Sequence, residues 1–485
     1  MRTLSTQTQA IEGELARRKL SYFVRFAWKL IEPETPLIWN WHLDAVCDHV
    51  QAFLEKRLDK HNLIINVPPG SMKSTIISVM SPAWMWLHNP SWRGLFFSGN
   101  ESIGLRDSMK CRDIIESDWY QQTFQPTWRF EKDQNAKGHY RNNASGFRKA
   151  QSAGSRVTGD RADDIFCDDP LDAAEAFSKP ARDSIITWWT QAASNRLNDL
   201  RTGGRCIIMQ RLHDEDLAGY VLKHEPQDWE KLIIRQEYEL NSDKTSLGWS
   251  DPRSEEGSLF FPERFPSDVI TIEKRRLGSY GYAGQHQQRP SASEGGLFKR
   301  ADWNYYKPLD PKDLGITQII QGWDTAFKTG QENDYSACIT IGVSQNRYYI
   351  LDLWKQKVEY PELKRTVVSL CEKWKPQTVL IEDKASGQSL IQELRRDTRI
   401  AIHAYKIDKD KIARANAVTP IHEAKLCYLP ETGTWVADFV ESLSAFPTAP
   451  HDDDVDAFVM TLDYASRGGS GLFQFMQQQA EKTKA

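Results

Sequence analysis

The 485-residue chain is 40% hydrophobic and 26% charged, which is the composition of a soluble globular protein. Its length exceeds what one ordinary hydrophobic core holds, so we expect two domains with a small appendage. The net charge of −4 gives no sign of a nucleic-acid partner, but it does not exclude one, because DNA is bound by local basic faces.

Residues 1–58 are predicted to form a helical lead-in. The segments LARRKLSYFVRFAWKLI and HLDAVCDHVQAFLEKRL place apolar residues at helical spacing on either side of a proline-rich break. His42, at the start of the second segment, is predicted to be a cap or surface residue, with contact to a nucleotide base as the alternative. The seven cysteines are scattered singly, which fits a reducing cytoplasm, and the charged N-terminus shows no apolar signal segment.

The next stretch, NLIINVPPGSMKST, predicts a strand, a tight loop and the start of a helix. This arrangement wraps nucleotide phosphates, because loop N–H groups and the helix N-terminus attract an anion. Lys73 would reach the β- and γ-phosphates, and the Ser74 hydroxyl would contact Mg²⁺.

The loop departs from the strict G-x-x-x-x-G-K-[ST] pattern. Val67 and Met72 stand where that pattern needs glycine, and Gly70 is the only glycine of the loop. The alternative interpretation is therefore a plain Pro-Gly turn between a buried strand and a core helix. We expect the Pro68-Pro69 turn and Gly70 to supply the backbone shape.

Strands and helices then alternate as far as GGRCIIMQRLHDEDLAGYVL, which predicts an α/β fold with a mostly parallel sheet. The apolar strand in ADDIFCDD ends in two acids: Asp168 would hold Mg²⁺, and Asp169 would polarise the attacking water. Arg156 is the favoured cation for a neighbouring subunit's γ-phosphate, with Arg161 and Arg211 as alternatives.

In residues 225–300 strands and helices no longer alternate, and the sequence is rich in Pro, Gly, Ser and charged residues. This segment is predicted to contain a helical hairpin, a linker and the domain boundary. From Thr317 the sequence predicts an antiparallel three-stranded meander, then a helix, a buried strand, a helix, a strand and a final helix. The residues beyond Arg467 are predicted to be a flexible tail.

A second set of acids lies in this C-terminal half. Asp324 and Glu382 end two predicted strands, while Asp453 and Asp456 share one face of the last helix. Carboxylates that converge in this way can hold two divalent cations for phosphodiester hydrolysis. DNA phosphates would be met by basic residues of KIDKDKIARANAV, namely Lys409, Lys411 and Arg414, or by the basic run 274–276.

Taken together, the chain resembles the large terminase subunit of tailed double-stranded DNA bacteriophages over nearly its whole length. The resemblance rests on eight segments in order: NVPPGSMKST, GSRVTGDRADDIFCDDP, MQRLHDEDLAG, QHQQRPSASEGGLFK, GWDTAFKTGQENDYSA, VLIEDKASG, DKDKIARANAV and PHDDDVDA. It implies a P-loop NTPase domain, with a mostly parallel sheet and helices on both faces, followed by a ribonuclease H-like nuclease domain.

The resemblance places domain bounds along the chain. The helical lead-in covers 1–58, and the ATPase domain covers 59–290 with a helical linker subdomain near 225–290. An interdomain linker at 291–312, the nuclease domain at 313–467 and a tail at 468–485 follow.

The resemblance also implies the function. ATP hydrolysis would drive double-stranded DNA through the portal into the procapsid, and an endonuclease would cut concatemeric DNA. The expected cofactors are ATP, Mg²⁺ at the ATPase site and two Mg²⁺ or Mn²⁺ at the nuclease site. The expected partners are the portal protein, a small terminase subunit, the procapsid and further copies in a ring, expected to be a pentamer. The expected location is the host bacterial cytoplasm and, transiently, the portal vertex.

Carried over residue by residue, the family's functional positions fall on three groups. The phosphate loop is Pro69, Gly70, Ser71, Met72, Lys73, Ser74 and Thr75; the ATPase acids and coupling residues are Asp168, Asp169, Gln210 and Arg211; the nuclease acids are Asp324, Glu382, Asp453 and Asp456. Two departures stand out: many relatives have glycine at the position of Met72 and glutamate at that of Asp169. A helicase- or resolvase-like enzyme, or a scaffold that binds DNA or portal without hydrolysing ATP, are the alternatives.

Overall fold

The computed structural model describes residues 6–156, 159–173, 175–240, 244–290, 296–325, 335–407, 410–447 and 453–482. The chain divides into two compact units. The first comprises Met1–Ile272 and Gly281–Ser291, and the second comprises Glu273–Tyr280 and Ala292–Ala485. No helix among the described residues is long and apolar enough to cross a membrane.

The first part of the chain forms nine α-helices and eight strands among its described residues. The helices are α1 (Thr6–Arg18), α2 (Leu20–Ile31), α3 (Trp41–Leu54), α4 (Ser81–His88), α5 (Glu101–Glu116), α6 (Asp118–Phe124), α7 (Lys179–Trp188), α8 (Leu217–His224) and α9 (Ser267–Gln285). The strands are β1 (Asn62–Asn66), β2 (Arg93–Ser98), β3 (Phe130–Ala136), β4 (His139–Asn142), β5 (Phe147–Ser152), β6 (Asp164–Asp168), β7 (Gly204–Met209) and β8 (Trp229–Ile233). A π-helical segment, Thr75–Met80, leads directly into α4.

These strands form one sheet in the order β3-β4-β5-β2-β6-β7-β1-β8. All pairings from β5 to β8 are parallel, and only β3 and β4 add antiparallel pairs at one edge. Alternate residues of β1 enter two different hydrophobic cores: Leu63 and Ile65 pack in one, and Ile64 packs in the other. The parallel part of the sheet is therefore buried on both faces, which confirms the predicted α/β class.

The second part contains the predicted strands and helices in the predicted order, with two further helices and a further strand between the last predicted strand and the final helix. The strands are β9 (Asn304–Tyr306), β10 (Gln318–Asp324), β11 (Ser336–Ser344), β12 (Arg347–Gln356), β13 (Thr378–Glu382), β14 (Ile402–Tyr405) and β15 (Cys427–Pro430). The helices are α10 (Tyr360–Trp374), α11 (Ala385–Asp397), α12 (Lys411–Glu423), α13 (Val436–Ala445) and α14 (Asp453–Lys482). The sheet order is β14-β13-β10-β11-β12-β15-β9, and β10, β11 and β12 form the predicted antiparallel meander.

Three predicted segments can be compared with the structure. Within 225–290, α9 consists of two helical stretches that meet at Gly278, where φ +68° and ψ 174° are not helical, and the unpredicted strand β8 pairs in parallel with β1. Within the predicted linker 291–312, β9 joins the edge of the second sheet. The predicted tail is helical as far as Lys482, since α14 continues through it. The strands β8 and β9 have five and three residues and do not alternate apolar with polar residues, so no period-2 signal marks them.

Candidate active sites

The loop between β1 and the π-helical segment contains two residues in the left-handed conformation, Gly70 with φ +75° and Met72 with φ +64°. A side chain in that conformation is uncommon outside glycine and costs conformational energy. Met72 thus adopts a conformation that glycine takes more readily. The Pro68-Pro69 turn and Gly70 are predicted to shape the loop, and Met72 adds a left-handed position that this prediction does not include.

Lys73 is held beside the acid that follows β6. Its Nζ lies 2.8 Å from Oδ2 of Asp169, and the lysine is 7% exposed. Burial lowers the pKa of Lys73, but the carboxylates of Asp169 and Asp168 outweigh burial and leave that pKa raised. Lys73 is therefore a charged, buried cation at the carboxyl end of the sheet, where ligands bind in such folds.

Asp168, the last residue of β6, accepts hydrogen bonds from two hydroxyl groups. Ser74 Oγ donates to its Oδ1 at 3.0 Å and Ser78 Oγ donates to its Oδ2 at 3.0 Å. Burial, followed by repulsion from Asp169, raises the pKa of Asp168 to about 7. The prediction did not include Ser78, although its spacing of four residues from Ser74 on a helix could have indicated it.

Gln210 and Arg211, the predicted coupling residues, lie on the loop after β7. The backbone N–H of Gln210 donates to Oδ1 of Asp169 at 3.2 Å, which joins this loop to the acid that follows β6. Arg211 is 9% exposed, and its Nε donates to both carboxylate oxygens of Asp216 at 2.9 and 3.0 Å. Its backbone N–H also donates to Oε1 of Gln288 at 3.1 Å, so Arg211 joins its loop to the segment after α9.

The other two residues considered near the loop have different surroundings. Arg156 is exposed after β5, as a residue that acts on a neighbouring subunit would be, and its role stays a prediction. His42 is fully buried against Phe260 and Phe261, so its prediction as a cap or surface residue is wrong. Burial lowers the pKa of His42 to about 4.

The second acid set converges around Asp324 at the end of β10. Burial raises the pKa of Asp324 well above its usual value, and Asp456, Glu382 and Asp453 all add to this, Glu382 also through a hydrogen bond. Helix α14 can approach β10 because Gly322 has no side chain: a Cβ there would lie 1.8 Å from Oγ1 of Thr461. The predicted nuclease acids are thus brought together.

Basic residues contact two of these acids. Lys411 Nζ lies 2.7 Å from Oδ2 of Asp456, and Arg414 Nη2 lies 3.1 Å from its Oδ1. Lys384 Nζ lies 2.5 Å from Oε1 of Glu382. Lys411 and Arg414, predicted to meet DNA, therefore contact Asp456, and the third predicted residue, Lys409, lies outside the described residues.

The donor set of this site fits divalent cations by its chemistry. Carboxylate oxygens are the ligands that Mg²⁺ and Mn²⁺ prefer, and Asp324 is buried close enough to Asp456, Glu382 and Asp453 for each to add to the burial that raises its pKa. Within the described residues, however, no group of three or more His, Cys, Asp or Glu side chains is arranged to hold a metal ion.

Comparison with known proteins found one family that is similar to the C-terminal part of the chain. The Terminase RNaseH-like domain family matches residues 321–465. No curated protein sequence matches the chain.

Solved structures of large terminases are also similar to the chain, at low identity. The large terminase of a thermophilic bacteriophage, in complex with ADP, is 12% identical, with a TM-score of 0.47, over 84% of this chain and 94% of that one. The HK97 bacteriophage large terminase is 11% identical, with a TM-score of 0.35, over 92% and 99%. The large terminase nuclease of thermophilic phage G20c with bound magnesium is 14% identical, with a TM-score of 0.27, over 35% and 98%. The family match over residues 321–465 confirms the predicted resemblance in the C-terminal part of the chain.

Proposed function

We propose that this chain is the large terminase subunit of a DNA-packaging motor, with an ATPase in its first domain and a metal-dependent DNA endonuclease in its second. The observation that carries the proposal is the pairing of Lys73 with Asp169 and of Ser74 with Asp168. A phosphate loop joined to two strand-end acids, in one chain with a terminase RNase H-like domain, supports ATP-driven work on DNA.

In the ATPase step, Lys73 exchanges its contact with Asp169 for the β- and γ-phosphates of ATP. Asp169 then accepts a hydrogen bond from the attacking water and orients it for in-line attack. Ser74 and Asp168 would hold the magnesium ion, which neutralises charge that develops on the phosphates when it is bound. Gln210, which contacts Asp169 through its N–H, is placed to sense hydrolysis.

In the nuclease step, Asp324, Glu382, Asp453 and Asp456 would hold two divalent cations, which activate water and stabilise the leaving oxygen when bound. Lys411 and Arg414 would contact the DNA backbone beside these acids. Among the similar structures, one large terminase is solved with ADP and the G20c nuclease with magnesium. We extend the same ligand classes to this chain because of its own donor atoms.

The expected partners are double-stranded DNA, the portal protein, a small terminase subunit and the procapsid, with further copies of this chain in a ring. Arg156 would complete the ATP site of the neighbouring copy. Among the alternatives, the non-hydrolysing scaffold is disfavoured by the left-handed Met72, which keeps the loop shape without glycine.

An in-vitro packaging assay tests this function. Purified procapsids that carry portal are mixed with DNA, ATP and either wild type or Lys73→Ala, and DNA protected from nuclease is measured. Protection by wild type and none by Lys73→Ala is the expected result. Failure of both to protect DNA would remove the motor assignment, and ATP turnover by wild type in the same mixture would then favour a helicase- or resolvase-like enzyme.

A further inference from the structure

The carboxylate of Asp168 has two hydroxyl partners, and only one of them belongs to the phosphate-loop pattern. Ser74 follows the loop lysine directly, so its hydroxyl is expected to turn to the magnesium ion when MgATP binds. Ser78 comes four residues later, is 5% exposed and donates to the other carboxylate oxygen at 3.0 Å. Ser78 is thus the partner that Asp168 would keep.

The backbone around Ser78 is unusual. Residues Thr75–Met80 are π-helical, and α4 continues from them in ordinary α-helical geometry. Such π-helical turns are rare and are frequently found at functional sites. Here the turn follows directly after Ser74 and contains Ser78.

Arg148 on β5 holds this turn from the opposite side. Its Nη2 donates to the carbonyl oxygen of Ser78 at 2.9 Å, and its guanidinium carbon lies 4.4 Å from the ring centre of Phe96. Arg148 is 1% exposed, and its Nε and Nη1 have no hydrogen-bond partner among the described residues. Burial of a guanidinium group that makes one hydrogen bond costs free energy of folding. A role in holding the backbone of Ser78 would account for a buried arginine at this position.

We propose that Ser78 is a positioning residue that fixes the Asp168 carboxylate for the magnesium ion of bound MgATP, and that Arg148 fixes Ser78. This inference rests on the proposed ATPase function. Without Ser78, one oxygen of Asp168 would lose its donor in a buried site next to Asp169. The carboxylate would then rotate, and the magnesium-dependent share of nucleotide binding would fall.

The test measures binding of a fluorescent N-methylanthraniloyl ATP to the full-length chain, with saturating Mg²⁺ and with EDTA. Ser78→Ala is expected to weaken binding with Mg²⁺ about tenfold and to leave binding with EDTA unchanged. Ser78→Thr, which keeps the hydroxyl, is expected to restore the wild-type ratio of the two affinities. Arg148→Leu is expected to reproduce the Ser78→Ala ratio.

Ser81→Ala is the matched control, because Ser81 is fully buried one turn later and its hydroxyl donates only to the carbonyl of Ile77, at 2.7 Å. A wild-type ratio in Ser78→Ala, or an equal loss in Ser78→Ala and Ser81→Ala, would overturn the role of Ser78. A stable Arg148→Leu variant with the wild-type ratio would remove Arg148 from the proposal. Wild type that binds no nucleotide under either condition would instead contradict the proposed ATPase function.

Discussion

The two acid sites of this chain are built differently. At the end of β6, Asp168 and Asp169 are matched by the hydroxyls of Ser74 and Ser78 and by the ammonium group of Lys73. At the end of β10, burial raises the pKa of Asp324, and Asp456, Glu382 and Asp453 raise it further. The first site holds two acids, whereas the second crowds four acids together, two of which contact lysine or arginine side chains.

This difference indicates what each site requires. At the proposed ATPase site, nucleotide binding would exchange one partner of Lys73 for another. At the proposed nuclease site, Lys411 and Arg414 contact Asp456, and Lys384 contacts Glu382. Divalent cations would compete with these basic side chains for the carboxylates, so metal affinity at the second site should depend on them.

The largest expected effect comes from breaking the first site. Asp169→Asn keeps the size of the side chain but removes the base that orients water, so ATP turnover should fall about 10²–10⁴-fold. Binding of ATP should persist, since Lys73 keeps its charge. Turnover by phosphate release and affinity by fluorescence measure the two effects.

Asp183→Asn, an exposed acid of α7 paired with Lys179, is the control and should turn over ATP like wild type. Undiminished turnover in Asp169→Asn would show that the acid after β6 does not act on water.

A smaller effect is expected at the margin of the second site. Arg414→Gln removes one internal partner of Asp456, so Mn²⁺ should compete with fewer cations and bind about fivefold more tightly. Titration with Mn²⁺ followed by electron paramagnetic resonance measures the affinity directly. Arg396→Gln, which breaks an exposed ion pair with Asp397, is the control and should leave the Mn²⁺ affinity unchanged. Weaker Mn²⁺ binding in Arg414→Gln would mean that Arg414 supports the metal geometry and does not compete with it.

The smallest effect concerns a property that both units share. His42 and His422 are buried, and burial lowers the pKa of each from 6.5 to about 4. Between pH 4 and pH 6.5, the unfolded chain binds more protons at these two histidines than the folded chain does. The folded chain therefore has its full stability above pH 6.5 and loses stability as the pH falls towards 4. At pH 5 each histidine should cost about 2 kcal/mol.

Thermal unfolding at pH 7 and pH 5 tests this. His42→Gln and His422→Leu should each reduce the shift in melting temperature between the two pH values, and the exposed His403→Gln should not. Equal shifts in all variants would place the acid sensitivity elsewhere.

Much of both sites could be predicted from local sequence. Lys73 comes after one buried strand and Asp168 ends another, and parallel strands bring their carboxyl ends to one edge of a sheet. Asp324, Glu382 and Asp453 could be predicted for the same reason, since each stands at the end of an apolar strand or the start of a helix. The order of elements therefore predicted which acids meet.

Other features depend on contacts that no local pattern shows. The left-handed φ of Met72 contradicts the preference of its residue type and depends on the surrounding loop. His42 is buried by two phenylalanines more than two hundred positions away, at 260 and 261. The contacts of Lys411 and Arg414 with Asp456 join α12 to α14, which a charge run alone cannot indicate. The strand β8, with the sequence WEKLI, does not alternate apolar with polar residues, so it carries no period-2 signal.

The central claim is that one chain holds two separate catalytic centres, and a crossed comparison of two variants tests it most directly. ATP turnover and Mn²⁺-dependent DNA cleavage are measured on the same preparations of wild type, Lys73→Ala and Asp324→Asn. Lys73→Ala should lose turnover and keep cleavage, and Asp324→Asn should keep turnover and lose cleavage. Loss of both activities in either folded variant, or loss of neither, would contradict the account.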